Sequence, residues 1–351
     1  MEADILFSRE KHLGLVTLNR PQTLNALNLS MIIALQQQLK QWESDTDIHA
    51  VVIKSEGGKA FCAGGDVRTL YEAGRAKHDE QMQFFWHEYR LNHFIYQFKK
   101  PYIALLDGMT MGGGVGISLH GSHPIATERF IFAMPETGIG FFPDIGASYL
   151  LARCKENIGI YLGLTGNRLT AANAFGAGLV KKVIASEHMD KLLERLIQED
   201  LSSNAFQRVD ECLEAFTAPV VSAPLDLFKD IIQHCFSKGT VEETLSELNA
   251  LKNEWALAVI DTLNQKAPLS LKITLAQLLK AKQCSFAECL QMDYCLVKHF
   301  MRDSDFYEGI RALLIDKDKT PHWQPKHLDL VSVTKIETYF KQEGESLNFL
   351  P

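Results

Sequence analysis

Between Ile5 and Ile184, short apolar runs alternate with helical stretches, and glycine gathers where the runs end. No other feature limits the fold as much. A strand that leads through a helix to a further strand needs a crossover, and crossovers set neighbouring strands parallel. Strands are predicted at Ile5–Phe7, Leu15–Leu18, Ala50–Ile53, Pro101–Leu106, Pro124–Thr127, Phe130–Phe132 and Val180–Ile184. Ile32, Ile33, Leu35, Leu39 and Trp42 fit one face of a helix behind Ser30, and a second helical pattern runs from Asp79 to Phe98. After about Gly178 helical patterns take over, broken at Pro219, Pro224 and Pro268. The expected architecture is an α/β core over 1–184 and a helical C-terminal region over 185–351 that packs on it.

The composition excludes several classes. Hydrophobic residues are 46% and charged residues 23% of the 351, an ordinary globular balance. A net charge of -7 gives no general pull toward nucleic acid. The seven cysteines include no CxxC pair, which fits reduced thiols and not a zinc site. Twelve histidines are scattered with no ligand-like HxxH or HExxH, so no metal is expected. The first residues, MEADILFSREKHLG, lack a secretory pattern and carry acids early, and no apolar run approaches the ~20 residues of a bilayer span. A cytoplasmic protein with no membrane partner is expected.

Three segments can carry chemistry. The first is Ala60 to Asp66, AFCAGGD, where small residues leave backbone amides open to a ligand. The second is Met109 to Gly116, MTMGGGVG. It is neither a Walker loop nor GxGxxG. Three glycines after a buried strand, at the start of a helix predicted over Val115–His120, aim free N–H groups at one point. Such a point stabilises an oxyanion that develops from a carbonyl. The third is Ala133 to Gly146, AMPETGIGFFPDIG, which places Glu136 and Asp144 among apolar residues, glycines and prolines. Carboxyls in such surroundings are desolvated, and desolvation pushes them toward neutrality, where general acids and bases work. Asp144 capping a helix from Ile145 is the structural alternative. Cys62 suits a small buried residue better than a nucleophile, and no GxSxG elbow accompanies Ser118 and His120.

In that order, FCAGGD, GMTMGGG and MPETGIG resemble the crotonase superfamily, the enoyl-CoA hydratase/isomerase fold, from about Leu15 to Val183. The resemblance implies a spiral of repeated β-β-α units, an acyl-coenzyme A substrate and paired oxyanion amides, which by matching fall on Gly65 and Gly113. Hydratases of that superfamily carry a glutamate three residues after the middle glycine of the run. Here that position is Gly116, so the two-glutamate hydration device is incomplete. HEYRLN at His87–Asn92, GFFPD with Asp144, and FYEGIRALLIDKDKTPHWQP at Phe306–Pro325 are similar to the 3-hydroxyisobutyryl-CoA hydrolases. That likeness covers most of the chain. It implies thioester hydrolysis by Glu136 and Asp144, of the kind met in valine catabolism. It also implies substrate binding by Glu88, Gly113, Glu136 and Asp144. No cofactor is implied beyond coenzyme A as part of the substrate, and homo-oligomers are common in the superfamily. Arg68 or Lys54 could meet the coenzyme phosphates, with an ordinary surface charge as the favoured alternative for each.

Overall fold

The computed structural model describes residues 3–218 and 223–349, which leaves Pro219 outside. Ten strands are β1 (Ile5–Glu10), β2 (Leu13–Leu18), β3 (Ala50–Ser55), β4 (Ala60–Cys62), β5 (Tyr102–Leu106), β6 (Met109–Met111), β7 (His123–Thr127), β8 (Ile131–Ala133), β9 (Leu169–Thr170) and β10 (Lys182–Ile184). They form two sheets, ordered β1-β2-β3-β5-β7-β10 and β4-β6-β8-β9. All pairings are parallel except β1 with β2 and β8 with β9. The tight turn at Lys11 and His12 permits the first antiparallel pair. The expected α/β class, its crossovers and its parallel strands are all present.

The glycine-bearing segment 56–65, whose spacing reads as a loop, holds the short strand β4. Three residues are too short for a period-2 signal. β4 nonetheless matters, because it pairs with β6 and brings the two glycine words side by side.

Sixteen helices accompany the sheets among the described residues. In the core these are α1 (Leu29–Ser44), α2 (Val67–Arg75), α3 (Glu80–Tyr96), α4 (Gly113–Gly116), α5 (Ala147–Leu151), α6 (Ile158–Thr165) and α7 (Ala171–Gly176). Beyond them lie α8 (Met189–Gln198), α9 (Ala205–Glu214), α10 (Lys229–Cys235), α11 (Val241–Leu251), α12 (Glu254–Asn264), α13 (Pro268–Ala281), α14 (Phe286–Phe300), α15 (Asp305–Ile310) and α16 (Val333–Tyr339). α1 starts at Leu29, two residues before the start expected behind Ser30. Asn28 is the cap, its Oδ1 accepting Met31 N–H at 2.9 Å, while Ser30 donates to the same oxygen.

The six-stranded sheet is buried on both faces. Val51 and Ile53 of β3 face a large core shared with α1, α3 and the C-terminal helices, while Ala50 and Val52 face a second cluster with Leu192, Leu196, Val209 and Leu213. Alternate residues point to opposite faces, so α8 and α9 cover the face that α1 and α3 leave bare. Each such buried Val, Ile or Leu stabilises the fold by about 1.5–3 kcal/mol. The large core runs without a break from Ile5 to Leu347.

His120 and His123 do stand as an HxxH pair, but they face different neighbours. His120 Nε2 lies 2.7 Å from Ile145 O, and His123 Nε2 3.3 Å from Asp210. Burial holds both imidazoles down, to about 4. No group of three metal-ligating side chains occurs among the described residues, and no helix there is long and apolar enough to cross a membrane.

Candidate active site

Two backbone turns build the floor of the site. Gly64 lies in the left-handed region at φ 111° and Gly112 at φ 47°, conformations that a side chain would strain. The turns abut: a methyl on Gly64 would lie 3.6 Å from Gly113 N, and one on Gly113 would lie 3.3 Å from Gly65 N. Neither Gly65 N–H nor Gly113 N–H meets an acceptor among the described residues. Gly113 is buried and Gly65 half-buried, and two idle N–H groups side by side on a cleft are of the kind that can serve a developing anion. α4 is a single turn rather than the helix expected over Val115–His120, because Gly114 packs against Cys62 O and the chain leaves the helix at Ile117. One turn adds little dipole. The N–H groups themselves carry the effect.

Three carboxyls stand around these amides. A methyl on Gly112 would lie 3.0 Å from Glu136 Oε1, and one on Gly113 would lie 2.4 Å from Glu88 Oε1. Asp144 accepts a 2.7 Å hydrogen bond from Tyr89 O–H. All three line one cleft of about 640 Å³ together with Gly65, Gly113 and Arg68. Glu88, Glu136 and Asp144 are only 2%, 7% and 5% exposed. Glu88 is therefore not the solvated helix carboxylate that a lone glutamate usually is. It shares a face of α3 with buried Asn92, one helical turn on.

Burial dominates the electrostatics. It pushes Glu136 well above the usual carboxylate range, the charge of Asp144 adds to the rise, and the Lys266 ammonium opposes it. Burial, then Asp144, then Glu136 raise Glu88 in the same way. Burial pushes Asp144 up to about 7 against the pull of the Tyr89 hydrogen bond. Glu88 Oε1 and Glu136 Oε2 have no hydrogen-bond partner among the described residues. Ionising any one of the three discourages the other two, so the cleft offers one base beside proton donors.

The remaining sequence candidates separate. Asp144 caps no helix: α5 starts from Gly146, without a side-chain cap. Cys62 is fully buried, with its thiol pushed up to about 12 by burial, which leaves no thiolate. Arg68 stands on the rim and donates to Leu314 O at 2.9 Å. Lys54 lies outside the cleft, 3.9 Å from Glu56. Gly116 faces Asn92: a methyl there would come within 2.7 Å of Asn92 Nδ2 and 3.1 Å of Ile145 Cβ, so no carboxylate fits.

Tyr89, Asn92 and Lys266 escaped the sequence reading. Polar residues at i and i+4 on the buried face of α3 were the one available signal for Asn92 beside Glu88. Lys266 reaches the site from the turn before α13, where a methyl on Gly138 would lie 3.3 Å from its Nζ.

The two sheets thus set paired glycine amides beside buried acids in one cleft, and sequence comparison gives the family. The enoyl-CoA hydratase/isomerase family profile matches residues 13–340. The chain belongs to that family. It is 44% identical over 97% of its length to the mitochondrial 3-hydroxyisobutyryl-CoA hydrolase of Rattus norvegicus, covering 90% of that protein. With the Homo sapiens protein of the same name the identity is 42% over 98%, again covering 90%. Among solved structures, a carnitinyl-CoA dehydratase from Mycobacterium thermoresistibile superposes with a TM-score of 0.93 at 32% identity, over 99% of both chains. An enoyl-CoA hydratase from Rhodobacter sphaeroides gives 0.90 at 34%, over 99% of this chain and 100% of that one.

Proposed function

We propose that this enzyme hydrolyses a short 3-hydroxyacyl-CoA thioester of the 3-hydroxyisobutyryl-CoA type to free coenzyme A and the 3-hydroxy acid. One observation carries the reading: two idle glycine N–H groups from separate turns adjoin a dehydrated Glu136. The thioester oxygen docks between Gly65 N–H and Gly113 N–H. Charge grows on that oxygen during attack, so the amides bind the transition state more tightly than the substrate. One such donor is worth about 2.7–4 kcal/mol. Glu136 either takes a proton from an attacking water or attacks the carbonyl itself to form an anhydride that water then opens. In both routes the C–S bond breaks, the leaving thiolate takes a proton, and one water is consumed. Asp144 supplies or receives a proton or holds the 3-hydroxyl, and Glu88 binds substrate beside Gly113. No further cofactor enters the scheme.

Free-thiol release from a panel of coenzyme A esters tests this directly. 3-Hydroxyacyl esters should be the best substrates. Glu136→Gln should abolish release yet still bind the thioester, and wild-type turnover by that variant would end the assignment. In a single turnover in labelled water, label in Glu136 marks the anhydride route.

The dehydratase and hydratase among the similar structures favour a second reading, addition of water to an enoyl-CoA. Loss of conjugated enoyl absorbance without thiol release would support it. Gly116 and the Asn92 side chain packed on it stand against it. Coenzyme A binding with no turnover of any ester would instead mark a binding protein. The relatives named above are mitochondrial. Cell fractionation decides whether this chain shares that compartment or stays in the cytoplasm. Assembly into homo-oligomers belongs to the same reading and is checked by light scattering.

A further inference from the structure

The loop that carries Asp144 is held by side chains from far along the chain. Gln277 on α13 donates from Nε2 to Pro143 O at 3.0 Å and to Asp293 Oδ1 at 2.7 Å. Asp293 on α14 accepts Gly146 N–H through Oδ2 at 2.7 Å. Both side chains are wholly buried. The two bonds thus grip the residues on either side of Asp144–Ile145. Between the grips the backbone is unusual. Ile145 lies at φ 55° and Gly146 at φ 71°. A β-branched residue in the left-handed region persists only where its surroundings impose it. Burial pushes the Asp293 carboxyl well up, as does the nearby charge of Asp144, despite the Gly146 and Gln277 bonds. Besides Asp144, the Tyr89 hydroxyl and the Cys289 thiol are the titratable groups that face it. A carboxyl placed at such cost, with both oxygens committed to the loop and to Gln277, has a role in holding that loop.

We propose that Asp293 and Gln277 are positioning residues. They clamp Pro143 and Gly146 so that the left-handed Ile145 turns the Asp144 carboxyl toward Glu136 and Glu88. This rests on the reading of Asp144 as part of the reacting acid pair. Neither residue touches substrate, and both act through Asp144. It also gives the C-terminal helices a part in catalysis, because α13 and α14 are rigid supports for the clamp.

The test compares kcat and KM for thiol release in Asp293→Ala, Asp293→Asn, Gln277→Met, Asp144→Asn and the double variant Asp144→Asn/Asp293→Ala. A displacement of the acid by an ångström costs about 100-fold. Asp293→Ala should therefore lower kcat by about that factor with KM within about twofold. Asparagine at 293 keeps an acceptor for Gly146 N–H and should restore about tenfold of the loss. The double variant should be no slower than Asp144→Asn, because residues that act as a unit are not additive. Losses that multiply, or a wild-type kcat for Asp293→Ala beside an impaired Asp144→Asn, would overturn the clamp alone. Wild-type turnover by Asp144→Asn would overturn the reading of Asp144 and the clamp with it. Should Asp293→Ala not fold, Gln277→Met keeps the volume, removes both donated bonds, and must show the same loss of kcat at unchanged KM.

Discussion

Replacing Gly113 by alanine tests the anion site where it is narrowest. The added methyl would lie 2.4 Å from Glu88 Oε1, whereas ordinary contact begins at 3.4 Å. The Glu88 carboxyl or the Gly113 turn must therefore retreat by about 1 Å. Glu88 is 2% exposed and sits within α3, so it has little room. The methyl would also press on Gly65 N and Leu27 Cδ1, each at 3.3 Å. Both proposed donors then move relative to the thioester oxygen. Misplacement by 1 Å costs about 100-fold, and complete loss of one donor costs about 100- to 1000-fold in kcat. The expected result is a fall in kcat of about 100- to 1000-fold with KM little changed, since the donors act on charge that appears only during attack. Stopped-flow thiol release gives the two constants separately, and a thermal melt confirms the fold. Gly176→Ala is the control. Among the described residues nothing lies within 4 Å of that methyl, and a helical Gly→Ala change should stabilise by roughly 0.5–1 kcal/mol without touching turnover. A folded Gly113→Ala enzyme with kcat within about twofold of wild type, or with only KM raised, would refute the oxyanion argument.

Two further outcomes follow from the buried charges. Burial raises Asp144 from 3.8 to about 7, so the folded protein holds a proton that the unfolded chain has released. Stability from this group is full below about pH 4 and falls as pH rises toward 7, by on the order of 4 kcal/mol. Asp144→Asn should therefore gain melting temperature over wild type as pH goes from 5 to 8, and a constant difference would show that the carboxyl is not dehydrated. Lys266→Met removes the charge that draws Glu136 down. The acid limb of the kcat/KM profile should shift to higher pH, Lys266→Arg should restore it, and an unmoved limb would remove Lys266 from the site's electrostatics.

Much of the core was legible because its signals are local. Strand runs, crossover helices and the two glycine-bearing segments follow from spacing and from the freedom that small residues leave the backbone, while the left-handed φ of Gly64 and Gly112 is seen only in the fold. Weak local signals failed. The short strands β4, β6 and β9 escaped, as did the helices α6, α7, α12, α15 and α16 and the one-turn length of α4. Strands of two or three residues are too short for a periodic signal, and a lone cap such as Asn253 or Ser332 does not by itself mark a helix.

Sequence by itself therefore determined that glycine turns would stand at successive strand ends, that Glu136 and Asp144 would lie in apolar surroundings, and that Gly116 could not transfer a proton. Tertiary structure alone decided that Glu88 joins them as a third dehydrated acid, that Lys266 lies within range of Glu136, and that Asp293 reaches Gly146 from 147 residues away. The physical reason is that dehydration and charge coupling belong to the packed neighbourhood of a group. A chain read in order shows which residues can ionise, but only the fold shows how much water and which other charges each of them meets.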